Sequence, residues 1–78
     1  VVDDSQTMRR IVINTLKRLG YTDVVEGKDG LEGVTRLEEG GIEFVITDWN
    51  MPEMNGLEFV QKIRSTDDWK NLPILMVT

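Results

Sequence analysis

Acidic residues follow two apolar runs of this sequence, and a hydroxyl residue follows a third. Asp3 and Asp4 come after the first apolar run, Asp48 after the run centred on residues 44–46, and Thr78 after the last. Ionised carboxylates are nucleophiles and ligands of hard metal ions. The chemistry open to these residues is therefore metal binding, attack by a carboxylate oxygen, or both.

The composition excludes several other kinds of chemistry. The 78 residues include no Cys and no His, which removes disulfides, thiol chemistry, imidazole bases and the commonest zinc ligands. The chain is 40% hydrophobic and 29% charged, which is typical of one small globular domain over residues 1–78. Any reaction must use carboxylate, hydroxyl, amide or amine groups, with or without a hard metal ion.

The charge balance bears on partners. Nine basic residues stand against 14 acidic ones, a net charge of −5, whereas nucleic acid backbones are bound chiefly by clustered Lys and Arg. The adjacent basic pairs are Arg9-Arg10 and Lys17-Arg18, and on a helix we expect Arg9-Arg10 to lie on a solvated face. No apolar run approaches the ~20 residues that span a bilayer, and no signal peptide opens the chain. The sequence thus predicts neither a nucleic acid nor a membrane partner.

Strands and helices are predicted to alternate. Three segments show the apolar spacing of helices. The first covers residues 5–19, with Ser5 or Asp4 as its cap and Gly20 at its end. The second is weakened by Gly33 and ends at Gly40-Gly41, and the third covers residues 56–64. Four apolar segments are predicted strands, at Val1-Val2, around Val24-Val25, at residues 42–47 and at residues 74–77. The third is apolar enough for burial on both faces, and Asp48 to Asn55 is a loop.

This order predicts an α/β fold, a flavodoxin-like doubly wound parallel sheet. In such a sheet the first and third strands are neighbours, and ligands bind outside the carboxyl ends of the strands. Asp3, Asp4 and Asp48 would then converge, and like charges at short range repel one another unless a cation lies among them. Mg²⁺ suits such a site, because it takes one or two carboxylates together with waters and phosphate oxygens.

Each of these residues also has a simpler interpretation. Asp3 and Asp4 could cap the first helix, and Asp48 could be a turn residue. Thr78 alone means little, because Thr is common in strands, and Asn50 is most simply a turn former. The residues taken together indicate a site more strongly than any one of them does, because capping does not require acids at the ends of two adjacent central strands.

Three segments resemble the receiver domains of two-component response regulators, in the order of that family: VVDDS, TDWNMPEMNGLEFV and LPILMVT. The separations, 44 residues from Asp4 to Asp48 and 30 from Asp48 to Thr78, are typical of the family. The resemblance covers the whole chain. The segments SQTMRRIVINTLKRLGY and DWNMPEMNG are most similar to the free-standing chemotaxis (CheY-like) members.

The resemblance implies a role for each residue. Asp48 would accept a phosphoryl group from a histidine kinase. Asp4 would hold Mg²⁺, joined by Asp3 directly or through water, by a carboxylate oxygen of Asp48 and by the backbone carbonyl of Asn50. Thr78 would bond a phosphoryl oxygen and report phosphorylation. The resemblance further implies a cytoplasmic signalling domain rather than an enzyme, with the kinase and a flagellar motor switch protein as partners.

The sequence departs from the family pattern at both ends. Only two apolar residues precede Asp3, and the family's fourth helix, fifth strand and fifth helix, expected after Thr78, are lacking. The fifth strand carries the family's active-site lysine, and no lysine of this chain can be assigned to that role. We therefore expect an incomplete fold. A polypeptide limited to residues 1–78 could be a structural half-domain or a piece of a chimera without activity of its own, and it could self-associate.

The residues at and after Asp48 can be compared with the motifs of two other functions. A phosphatase of the haloacid dehalogenase kind also uses a strand-end Asp, but it needs a second acid two residues later, where this chain has Asn50. A calcium-binding EF-hand loop beginning at Asp48 would need Asp or Asn, then Gly, and later Glu at the positions that Pro52, Glu53 and Phe59 occupy. The chain fits neither pattern.

Overall fold

The computed structural model describes residues 1–77. Within that range the chain forms three helices and two strands: α1 (Gln6–Arg18), α2 (Gly30–Glu38), β1 (Val45–Asp48), α3 (Gly56–Ser65) and β2 (Ile74–Val77). β1 and β2 pair in parallel, with Val45 opposite Ile74 and Asp48 opposite Val77. Across these same residues, no helix is both long enough and apolar enough to cross a membrane.

Val2 extends this sheet on the other side of β1. It forms isolated parallel bridges with both Thr47 and Gly27. Its N–H donates to the carbonyl oxygen of Ile46, and its own carbonyl accepts the N–H of Asp48, both at 2.8 Å. The order across the sheet is therefore Gly27, Val2, β1, β2, which is the flavodoxin-like order of strands two, one, three and four. The predicted parallel α/β fold is confirmed.

The first two predicted strands are reduced to single paired residues. Val2 alone is paired in the first, and in the second the pairing residue is Gly27. The N–H of Gly27 donates to the Val1 carbonyl at 2.9 Å, and the N–H of Asp3 donates to the Gly27 carbonyl at 3.0 Å. The prediction of a strand centred on Val24-Val25 is wrong, because the segment lies at the sheet edge and its ladder bonds to the first segment centre on Gly27.

The third strand is shorter and less buried than predicted. It runs from Val45 to Asp48, so Asp48 is its last residue and not the first residue of the loop. Val45 and Thr47 are buried, but their neighbours along β1 are only half-buried and Phe44 is 52% exposed. The prediction of burial on both faces is wrong, because α2 and α3 supply the buried side chains on one face and α1 buries none of its residues.

The helix boundaries follow their caps. Ser5, and not Asp4, caps α1, because its Oγ accepts a backbone N–H of the first turn at 3.2 Å. Gly20 follows α1 with a φ of 98°, the left-handed conformation expected at that end. Asn55 caps α3 and forms a capping box with Glu58.

The core lies between the sheet and the helices α2 and α3. It consists of six buried apolar side chains: Val2, Leu37, Val45, Met51, Phe59 and Ile63. Gly33 of α2 lets Phe59 of α3 come close, since a Cβ at this position would lie 2.7 Å from the Phe59 Cζ atom. The glycine that weakens α2 as an isolated helix is therefore required for the packing of α3 against it.

The side of the sheet near α1 is apolar and open. Ile11 of α1 and Leu19, the C-cap residue of this helix, are 53% and 69% exposed. A groove of about 740 Å³ runs beside α1, and its lining includes Leu16, Val24 and Ile46. Apolar surface is thus present beside Leu16 and Leu19.

Candidate metal and phosphate site

Three carboxylates meet at the carboxyl end of the sheet. Asp3 and Asp4 follow Val2, and Asp48 is the last residue of β1. One carboxylate oxygen of each acid lies within 4.8 Å of those of the other two. Asp3 and Asp48 are half-buried and Asp4 is exposed. The acids converge as the strand order predicts.

The bridge between Val2 and Thr47 places two of these acids side by side. Asp3 and Asp48 are each one residue beyond the bridge, on neighbouring parallel segments that run in the same direction. In a parallel pair, residues at the same distance beyond a bridge stay level with each other. The register of the sheet therefore brings two carboxylates together before any side-chain contact is considered.

Backbone N–H groups orient both of these carboxylates. The N–H of Ser5 donates to Oδ1 of Asp3, and the N–H of Trp49 donates to Oδ1 of Asp48, each at 2.8 Å. Both bonds are local, although the bond to Asp3 is not the helix cap of its simpler interpretation, because Ser5 caps α1. The structure shows that the local role and the acidic cluster coexist.

Burial raises the pKa of the Asp3 carboxyl above its ordinary value, and the nearby carboxylates of Asp48 and Asp4 raise this pKa further. The N–H of Ser5 acts in the opposite direction, because it donates a hydrogen bond to the ionised form. Burial and the two neighbouring acids thus disfavour ionisation of Asp3, and a cation bound among the carboxylates would relieve their repulsion.

Substituting Asp3→Asn is expected to stabilise the folded protein at neutral pH when divalent cations are absent. A carboxyl whose pKa is raised by folding binds more protons when folded, so stability falls as pH rises from the ordinary Asp value through the folded pKa. Asn removes the charge, and its Oδ1 can still accept the Ser5 N–H. The gain in melting temperature should be a few degrees at most, because solvent screens a partly exposed group.

Thermal melts in EDTA measure this effect at two pH values. The variant should melt above the unsubstituted protein at about pH 7, and the difference should vanish at about pH 3, below the ordinary Asp pKa. A variant that melts at or below the unsubstituted protein at neutral pH would show that the Asp3 charge does not destabilise the fold.

The loop after β1 folds tightly against the strand end. The N–H of Gly56 donates to the Trp49 carbonyl at 2.7 Å. A Cβ on Gly56 would lie 2.5 Å from the carbonyl oxygen of Asp48, so the backbone approach requires glycine. Trp49 itself is 41% exposed and directly follows Asp48, so its fluorescence can report events at the site.

The remaining predicted site residues stand as follows. Asn50 is exposed two residues after Asp48, and its backbone carbonyl as a metal ligand stays a prediction. Thr78 lies outside the described residues, so its contact with a phosphoryl group also stays a prediction. All four lysines of the chain are exposed: Lys17, Lys28, Lys62 and Lys70.

Arg9 contacts the acidic segment, which the sequence did not indicate. Its side chain is 14% exposed, and its Nη1 donates to the backbone carbonyl of Asp3 at 2.5 Å. The expected solvated face holds for Arg10, which is exposed, and is wrong for Arg9. The only related feature of the sequence is spacing: Arg9 lies four residues after Ser5, which is one helical turn beyond the cap of α1.

Residues 1–78 match the sequence model of the response regulator receiver domain along the whole chain. The chain belongs to this family. The receiver is similar to the chemotaxis protein CheY1 of Helicobacter pylori, with 56% identity over 79 residues, and to the CheY homolog of Campylobacter jejuni, with 54% identity over 81 residues. These matches cover 100% of this chain but 64% and 61% of the two relatives, so the chain spans less than two thirds of their length.

Solved receiver structures share the fold. The chemotaxis response regulator CheY4 of Vibrio cholerae matches with a TM-score of 0.89 and 40% identity, over 96% of this receiver and 62% of that chain. The N-terminal domain of a response regulator receiver protein from Methanoculleus marisnigri JR1 matches with a TM-score of 0.92 and 28% identity, over 99% and 62%. The CheY-like fold is confirmed, and the family is one of signalling domains and not of classical enzymes.

Proposed function

We propose that this receiver is the phosphate-accepting part of a chemotaxis response regulator, with Asp48 as the acceptor. The main support is the convergence of Asp3, Asp4 and Asp48, whose oxygens lie within 4.8 Å of one another at the ends of adjacent parallel segments. The two curated relatives named above are chemotaxis proteins, which favours chemotaxis as the setting.

Asp48 would act as the nucleophile. One of its carboxylate oxygens attacks the phosphorus of a phosphohistidine on the kinase, and a new O–P bond forms. The P–N bond breaks, and its electron pair leaves with the imidazole nitrogen. An ionised carboxylate needs no base to activate it, and phosphoryl transfer depends mainly on positioning and charge neutralisation. The Trp49 N–H, bonded to Oδ1 of Asp48, would hold the carboxylate in place for this attack.

The donor set at the site fits Mg²⁺. Carboxylate oxygens are the hard ligands that this ion prefers, and it commonly takes one or two of them together with waters and phosphate oxygens. Asp4 would hold it, with Asp3 directly or through water, a carboxylate oxygen of Asp48 and the backbone carbonyl of Asn50. When bound, the ion would neutralise charge on the acids and on the phosphoryl oxygens.

Removing the Asp4 carboxylate is expected to weaken Mg²⁺ binding. Asp4→Ala should raise the dissociation constant by about tenfold or more, because one of the few charged ligands is lost. The change in Trp49 fluorescence during a Mg²⁺ titration measures this constant. Asp68→Ala is the matched control, since it removes an exposed acid that follows the far end of α3. An Asp4→Ala titration equal to that of the control would overturn the ligand assignment.

Phosphorylation would then alter partner binding. An acyl phosphate adds negative charge and acceptor oxygens at the sheet edge. The Thr78 hydroxyl would bond one of these oxygens and bias the domain towards a second conformation. The donor would be a sensor histidine kinase, the partner of the phosphorylated form would be a flagellar motor switch protein, and the domain would act in the cytoplasm.

Labelling by a small phosphodonor tests this function directly. The natural polypeptide that carries this chain, incubated with acetyl phosphate and Mg²⁺, should gain one phosphoryl group in its intact mass. Addition of EDTA should prevent the gain. A protein that stays unlabelled with Mg²⁺ present would contradict the proposed function.

A further inference from the structure

We propose that Arg9 is a positioning residue that fixes the peptide between Asp3 and Asp4 and thereby sets the spacing of the carboxylates. This role deepens the proposed function of the acidic site and depends on it. The carbonyl that accepts the Arg9 Nη1 hydrogen bond at 2.5 Å belongs to Asp3, and it is part of the peptide that leads into Asp4. Holding this peptide plane limits where the Asp4 carboxylate can lie.

Arg9 completes a set of bonds on the Asp3 backbone. The N–H of Asp3 donates to the Gly27 carbonyl at 3.0 Å, while its carbonyl accepts from Arg9. The Nε of Arg9 also donates to Glu26 Oε1 at 3.1 Å. The guanidinium therefore connects α1, the acidic segment and the segment beside Gly27.

The burial of Arg9 indicates a specific role. No residue of α1 is fully buried, yet the Arg9 side chain is only 14% exposed. Its guanidinium presents a rigid fork that can serve two acceptors in different directions, whereas the ammonium of Lys is a single point charge. A Lys at this position would keep the charge but could not reproduce both bonds in the same geometry.

Positioning and simple electrostatics predict opposite effects on metal affinity. A cation beside the site repels Mg²⁺, so removing its charge alone would tighten binding. If Arg9 instead holds the ligands in place, removing it loosens the acidic segment and weakens binding. The sign of the change therefore distinguishes the two roles.

Mg²⁺ titrations of three variants test the role of Arg9, using the natural polypeptide that carries this chain and Trp49 fluorescence. Arg9→Ala is expected to raise the Mg²⁺ dissociation constant by about tenfold, as losses of groups that orient metal ligands typically do. Arg10→Ala, which removes the same charge from an exposed neighbour, should leave the constant unchanged or slightly lower. Arg9→Lys should recover only part of the affinity.

Several outcomes would overturn this role. Arg9→Ala could bind Mg²⁺ as tightly as the unsubstituted protein or more tightly, or Arg9→Lys could match it fully. If circular dichroism shows that Arg9→Ala is unfolded, the Arg9→Lys titration decides alone. An unsubstituted protein that neither binds Mg²⁺ nor becomes labelled would refute the proposed function, and the role of Arg9 with it. A protein that does both, with unchanged binding in Arg9→Ala, would refute only the role of Arg9.

Discussion

Asp48→Asn is expected to abolish phosphoryl labelling by acetyl phosphate. The substitution replaces one carboxylate oxygen by an amide nitrogen, whose lone pair is delocalised and which is a poor nucleophile at phosphorus. The remaining Oδ1 can still accept the Trp49 N–H that holds Asp48 at 2.8 Å, so the loop geometry should be retained. The loss should therefore be chemical, and intact mass after incubation with Mg²⁺ measures it.

Two further variants make this result specific. Asp68→Asn changes an exposed acid in the same way and should label normally. Thr78→Ala should also label, since its hydroxyl would act after transfer, but it should signal poorly. Persistent labelling of Asp48→Asn under the same conditions would mean that another residue accepts the phosphoryl group.

A polypeptide limited to residues 1–78 is expected to form oligomers at low micromolar concentration. Ile11 on α1 and Leu19 at its C-terminal end are 53% and 69% exposed, and Leu75 on β2 is 51% exposed. Contiguous apolar surface and an open strand edge both favour association. Sedimentation velocity over a concentration series, with circular dichroism to follow folding, measures the outcome.

Substitutions on the two sides of the sheet distinguish association through the apolar surface beside α1 from non-specific association. Ile11→Lys should weaken association by about tenfold or more, because it places a charge within the apolar surface beside α1. Leu57→Lys is the matched control, since Leu57 is also exposed, at 46%, but lies on α3. A compact monomer that melts cooperatively without either substitution would show that this apolar surface does not drive association.

Local signals predict the helices well, and the order of the strands predicts the acidic cluster. The third helix was expected from Gly56 to about Arg64 and is observed over Gly56–Ser65, because its Asn55 cap and apolar spacing are encoded within one segment. The convergence of Asp3 and Asp48 follows from strand order, which alternation of elements already specifies. The position of these acids relative to each other therefore depends on the parallel topology of the sheet, which no short segment of the sequence determines.

Non-local contacts account for the features of the fold and the site that the sequence does not predict. Whether residues 24 and 25 or Gly27 would pair with the first segment depends on register, which is set by the partner strand. The exposure of Phe44 depends on which helices cover each face of the sheet. Arg9 looked like a surface residue because basic residues on helices usually are, and only the path of the acidic segment brings the Asp3 carbonyl to it.

The bridge between Val2 and Thr47 has a consequence for biosynthesis. It joins residues on either side of α1 and α2, so both helices lie inside the loop that it closes. Pairing between such distant segments comes late and slowly compared with helix formation. Asp3 and Asp4 leave the ribosome before Asp48, so the third carboxylate joins them only after β1 has also emerged. A nascent chain therefore brings these three acids together only when translation has passed well beyond Asp48.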